Sequence, residues 1–125
     1  GYLLGTYGQA DLPMMVSEWG YPSDISVNES SLLVSQVIPM PIKPATEEEQ
    51  ADIMDACFRV FDKYDVGPVC LISRDQNDPT MSEEQRNFWG FHCGFVRDNL
   101  SHKPSYRIVR KWSNRLRKRE QCLSR

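Results

Sequence analysis

The sequence predicts an α/β fold in the order strand, helix, strand, helix, and three observations carry that expectation. Two short apolar segments, Met14-Met15-Val16-Ser17 and Val69-Cys70-Leu71-Ile72-Ser73, run without polar alternation, the pattern of parallel strands covered on both faces. Between them lies a capped amphipathic segment. Beyond the second, a run opening at Pro104 repeats its apolar residues at helical spacing. Strands alternating with helices in this way build parallel sheets through right-handed crossovers.

The first strand is fed by the turn-like Asp11-Leu12-Pro13 and is expected to end at Glu18. A long connection follows, holding Pro22, Pro39, Pro41 and Pro44, and connections of that length are functional more often than idle. Its Leu32 to Ile38 stretch is expected to pack locally. Thr46 and Glu49 have capping-box spacing and open a helix over residues 47–64, with Ile53, Cys57, Val60, Phe61 and Tyr64 on its apolar face. Asp65-Val66-Gly67-Pro68 stops that helix, and the second strand then runs to Arg74-Asp75. Residues 76–85 form a polar loop in which Glu83 and Glu84 read as solvated acids. Residues 87–96 are aromatic and punctuated by Gly90 and Gly94, neither helix nor strand in pattern. Pro104 suits the first turn of the last helix, whose stripe is Ile108, Val109, Trp112 and Leu116.

Of 125 residues, 40% are hydrophobic and 26% charged, with a formal net charge of -2, a composition of globular chains rather than disordered ones. Residues 1–125 read as one segment without internal repeats. The apolar runs fall far short of the ~18 residues a membrane span needs, so no membrane partner is expected. The opening Gly-Tyr-Leu-Leu-Gly-Thr-Tyr has neither a basic region nor a small-residue cleavage site, and is expected not to be a signal peptide. Cys57, Cys70, Cys93 and Cys122 contain no C-x-x-C pair and read as buried thiols. From Lys103 onward, nine Lys or Arg face the single acid Glu120. These basic residues read as the solvated face of the last helix, not as a nucleic-acid surface.

Two parallel strands cannot by themselves satisfy their edges and hide both faces. The segment therefore reads as part of something larger.

Leu12-Pro13-Met14-Met15-Val16-Ser17-Glu18-Trp19-Gly20 resembles the seventh strand of the retaining glycoside hydrolases built on (β/α)8 barrels, a strand that ends in glutamate, an aromatic and glycine. Glu47-Glu48-Glu49-Gln50-Ala51 resembles the start of the next helix, and residues 67–75 resemble the eighth strand. Phe88-Trp89-Gly90-Phe91 and Lys103-Pro104-Ser105-Tyr106 resemble the segment that closes such a barrel. The resemblance spans nearly the whole chain in order. It implies the C-terminal β-α-β-α portion of a TIM barrel that hydrolyses β-glycosidic bonds with retention.

In that reading Glu18 is the catalytic nucleophile, and Trp19, Asp75 and Trp89 contact the carbohydrate substrate. A glycosyl-enzyme ester would form on Glu18, with a second carboxyl ~5–5.5 Å away acting as acid and then base. That partner belongs to the fourth strand, so completion requires an N-terminal barrel portion. The alternative is a non-catalytic module that closes its sheet with a second copy of the chain. Many members carry a sugar-stacking tryptophan near the end of the eighth strand, where this chain has Ile72-Ser73, and Trp19 or Trp89 stands in only partly. Asp75 also reads as an ion-pair partner of Arg74 or of its loop. No cofactor is expected, because the chain has no Gly-rich phosphate loop, no G-x-S-x-G and no H-E-x-x-H. His92 beside Cys93 lacks a second ligand pair, so no metal is expected either.

Overall fold

The computed structural model describes residues 13–23, 45–82, 86 and 88–123, with side chains through Arg115 in the last helix. The Leu32 to Ile38 stretch, Glu83 and Glu84 lie outside the described residues, as do the side chains of Leu116 and Cys122. The elements run β1 (Val16–Trp19), α1 (Glu47–Lys63), β2 (Val69–Leu71), a 3₁₀ turn (Trp89–His92) and α2 (Pro104–Leu123).

β1 and β2 pair in parallel, Val16 opposite Val69 and Trp19 opposite Leu71. Three steps along β1 thus match two along β2, and the irregularity sits between Val16 and Trp19. The strand ends at Trp19, one residue past the expected end at Glu18. The reason is pairing: the Trp19 carbonyl accepts the Ile72 N–H at 3.1 Å, so the ladder carries the backbone one residue further. Ser23 and Ala45 form an isolated parallel bridge, which brings the two ends of the long β1–α1 connection together.

α1 begins as its sequence dictates. The Thr46 hydroxyl accepts the Glu49 N–H and the Glu49 carboxylate accepts the Thr46 N–H, so two otherwise orphaned donors are satisfied reciprocally. It ends in a Schellman arrangement: Val66 N–H donates to the Phe61 carbonyl and Asp65 N–H to that of Asp62, with Asp65 at φ 52°. A glycine is usual there, and Asp65 occupies the left-handed region in its place.

The core is small and aromatic. Met54, Phe58 and Trp112 are buried, and Trp19, Phe61, Val69, Leu71, Ile108 and Val109 pack against them. Phe58 stacks on Trp112 with centroids 6.0 Å apart, and meets the edge of Trp19 at 5.8 Å. The apolar face expected for α1 is displaced. Gln50, Ala51, Met54, Asp55 and Phe58 are its buried residues, while Val60 and Tyr64 are more than half exposed. The sequence pattern missed this because two of the inward residues are polar, and each is hydrogen-bonded inside the fold.

Two further expectations fail. Cys70 is exposed, because Val69 and Leu71 turn toward the helices and Cys70 to the other face of the sheet. Lys103 does not belong to a solvated basic face: it is buried, among acceptors described below. Lys111 and Arg115, though open to solvent, pair with Asp55 and Asp62 of α1 at 2.8 Å each, so part of the basic face joins the two helices.

Candidate functional site

The carboxyl ends of β1 and β2 lie side by side, and the segments leaving them are tied together by a buried polar network. At its centre Lys103 Nζ, on the residue before α2, donates to Asp75 Oδ2 at 2.6 Å, to the Ser23 hydroxyl at 3.0 Å and to the His92 carbonyl at 3.2 Å. Three donors thus meet three acceptors from three chain segments. The other oxygen of Asp75 accepts the Gly94 N–H at 2.9 Å. Gly94 must lack a side chain: a Cβ there would stand 2.4 Å from the Asp75 nitrogen and the Arg74 carbonyl carbon.

A second set of bonds centres on Gln50 of α1, which is fully buried. Its amide nitrogen donates to the Tyr21 carbonyl at 2.7 Å and to the Gly94 carbonyl at 3.2 Å, and its amide oxygen accepts the Ser105 hydroxyl proton at 2.8 Å. Arg97 adds an ion pair with Glu47 at the start of α1. The loops from both strands are therefore fixed against the N-terminal ends of α1 and α2, the positive ends of the helix dipoles.

Glu18 is exposed, and its charge, like that of Asp75, acts on the buried Cys93. The Cys93 thiol is pushed up to about 12, chiefly by burial and then by the negative charge of Asp75, with a smaller contribution from Glu18, while Lys103 opposes them. Such a thiol stays protonated near neutrality; it donates to the Trp89 carbonyl at 3.4 Å and is no nucleophile. Asp75 is itself raised above the ordinary carboxylate value by its burial, with Lys103 and the Gly94 N–H working against that rise. Its partner is Lys103 rather than Arg74, which pairs with Asp98 at 2.9 Å instead. A carboxylate with both oxygens engaged holds a loop in place; it is not poised to transfer a proton.

The two tryptophans separate. Trp19 turns into the core, edge-on to Phe58 and Phe61, both at 5.8 Å. Trp89 is 42% exposed, 5.4 Å from the similarly open Phe88. His92 is hydrogen-bonded, its Nε2 lying 2.6 Å from the Arg86 carbonyl oxygen, and no group of three metal-ligating side chains occurs among the described residues. An open cleft of about 800 Å³ extends beyond the end of β2, lined among others by Arg74, Asp75, Asn77, Asp78, Met81 and Asp98. Asp75 is the one expected site residue on its wall; Glu18, Trp19 and Trp89 are not among its lining.

Sequence reasoning missed Lys103, Gln50, Ser23 and Ser105 as members of the network. The available signal was small: a glutamine on the first turn of a helix and a lysine before a helix-opening proline are ordinary solvated residues until the fold encloses them. No helix among the described residues is long and apolar enough to cross a membrane. Compared with protein-family models, with curated proteins and with solved structures, the chain matches none.

Proposed function

We propose that this chain is the C-terminal β-α-β-α portion of a (β/α)8 glycoside hydrolase that cleaves β-glycosidic bonds with retention, with Glu18 as its nucleophile. The observation that carries the reading is the placement of Glu18. It is exposed near the carboxyl end of a parallel strand, next to Trp19, whose ring packs on the helical side of the sheet. Glu18 is open to solvent while the neighbouring Trp19 ring packs toward the helices, so the Glu18 carboxylate is assigned to the face the helices leave open. In a barrel that face is the interior and that end is the reactive one.

The chemistry then divides between this chain and the rest of the barrel. Glu18 attacks the anomeric carbon as the glycosidic bond breaks, and the leaving oxygen takes a proton from a carboxylic acid on another strand. Water, deprotonated by the same group, afterwards hydrolyses the ester and regenerates Glu18. Asp75 shapes the floor beside it through Lys103 and Gly94, Trp89 offers an aromatic face to a sugar ring, and Trp19 fixes the strand that carries the nucleophile. The chain by itself should have no turnover, since in this reading the carboxylic acid that protonates the leaving oxygen belongs to another strand of the barrel.

Covalent trapping tests this. A 2-deoxy-2-fluoro glycoside with a good leaving group slows both steps, yet lets the ester accumulate on the completed enzyme. Peptide mapping should place the adduct on Glu18. An adduct on Asp75, or inactivation with no adduct in this chain, refutes the assignment. A discrete dimer of the chain that yields no adduct would instead favour the self-associating, non-catalytic module.

A further inference from the structure

α1 has two flanks, and among the described residues α2 packs on only one of them. At about 100° per residue, with Met54 facing the core, Asp55 and Asp62 fall roughly 80–100° to one side. There they meet Lys111, Trp112 and Arg115 of α2. Ile53, Cys57, Val60 and the C-cap residue Tyr64 fall about 60–120° to the other side. This second stripe is uncharged over three turns. Ile53 and Cys57 are half-buried, while Val60 is 52% and Tyr64 60% exposed, with Lys63 Nζ 5.1 Å over the Tyr64 ring.

The stripe is continuous with the contact that α1 already makes with the sheet, since Cys57 and Phe61 adjoin on the helix surface and Phe61 packs beside Trp19. On the sheet, β2 takes one edge of β1, and no strand among the described residues takes the other. A parallel strand added at that edge needs a crossover of a dozen or more residues, usually a helix, laid over the same face. In a (β/α)8 barrel, where the helices form one outer ring, that crossover lies beside α1, on the flank away from α2.

We infer that Ile53, Cys57, Val60 and Tyr64 form a docking stripe for an uncharged, apolar helix joined to a strand that extends the sheet at the free edge of β1. This rests on the reading of the chain as part of a larger parallel barrel, and it names the surface through which the remainder attaches. The two flanks of α1 then differ in chemistry: ion pairs toward α2, apolar packing toward the incoming helix. A charged helix surface would meet no partner there and would lose hydration on docking.

Cys57 is a built-in reporter. Its alkylation by iodoacetamide, followed by peptide mass mapping, is compared in the isolated chain and in the completed barrel. We expect at least tenfold protection of Cys57 on completion, abolished by Val60→Lys and retained in Ala56→Lys, which places the same charge on the exposed back of the helix. Thermal unfolding of isolated Val60→Lys should match that of the unmodified chain, so lost protection is not lost folding. Equal reactivity of Cys57 in both forms overturns the inference. So does protection already present in the isolated chain together with a doubled mass by light scattering, which would assign the stripe to a second copy. Fluoroglycoside trapping of the same completed sample judges the glycosidase reading separately: protection without an adduct keeps the docking stripe and removes the nucleophile, and an adduct without protection does the reverse.

Discussion

Asp55 offers the sharpest test of what holds the two helices together. Its Oδ1 accepts the Trp112 indole N–H and Lys111 Nζ, both at 2.8 Å, and its Oδ2 accepts Arg59 at 2.6 and 3.0 Å. In Asp55→Ala the two cations lose little, because the Lys111 and Arg59 side chains are 54% and 70% exposed and solvent replaces the lost partner; such pairs contribute ~0–1 kcal/mol each. The indole differs. Trp112 is buried, so its N–H is left without an acceptor, and a hydrogen bond to a charged group contributes ~1.5–3 kcal/mol. The expected loss is therefore ~2–4 kcal/mol at neutral pH, read from urea unfolding followed by tryptophan fluorescence. Asp62→Ala, which removes an ion pair to the exposed Arg115, should lose less than ~1 kcal/mol.

The loss should also depend on pH, with a definite sign. Hydrogen bonds from Lys111, then Trp112 and Arg59, hold the Asp55 carboxyl well below its ordinary value of 3.8 despite its burial. A depressed folded-state pKa contributes stability that is complete above the unfolded value and is lost as pH falls below it. The gap between wild type and Asp55→Ala should thus shrink on acidification below about pH 4. Equal losses from Asp55→Ala and Asp62→Ala, or a gap that does not narrow in acid, would show that the Trp112–Asp55 bond does not anchor the interface.

Three further perturbations probe the network and the turns. Lys103→Met should cost ~3–5 kcal/mol in the same assay, since it strands the Asp75 carboxylate in a buried site, and Lys103→Met/Asp75→Asn should regain much of that; a double variant as unstable as the sum of both singles would count against a coupled pair. Because the Asp75 pKa is raised by burial, its ionisation opposes folding, so Asp75→Asn should flatten the fall in stability as pH rises from the unfolded value of 3.8 through the higher folded one. Asp65→Gly should gain ~0.5 kcal/mol and Asp65→Val lose ~1 kcal/mol or more, as shifts of the urea midpoint, because φ 52° suits only glycine without strain; similar midpoints for both would mean the left-handed turn does not persist in solution.

What was legible in the sequence is what depends on neighbours along the chain. The capping box at Thr46 and Glu49, the stop after Tyr64, the opening of α2 at Pro104 and the order of strands and helices all follow from spacing over three or four residues, and the structure places them there. The buried Trp112 was legible too, since helical periodicity groups it with Ile108 and Val109.

Tertiary structure decided which way each element faces. α1 offers two stripes of comparable hydrophobicity, and only the arrival of Trp19 and Trp112 selects Met54 and Phe58 over Val60 and Tyr64. Gln50 and Asp55 face inward although they are polar, because Tyr21, Gly94, Ser105 and Trp112 bring them partners from 29 to 57 residues away. Asp75 finds Lys103 rather than its neighbour Arg74 for the same reason. A buried polar side chain is stable only where complementary groups converge on it, and convergence across such separations is a property of the folded chain that no local pattern encodes.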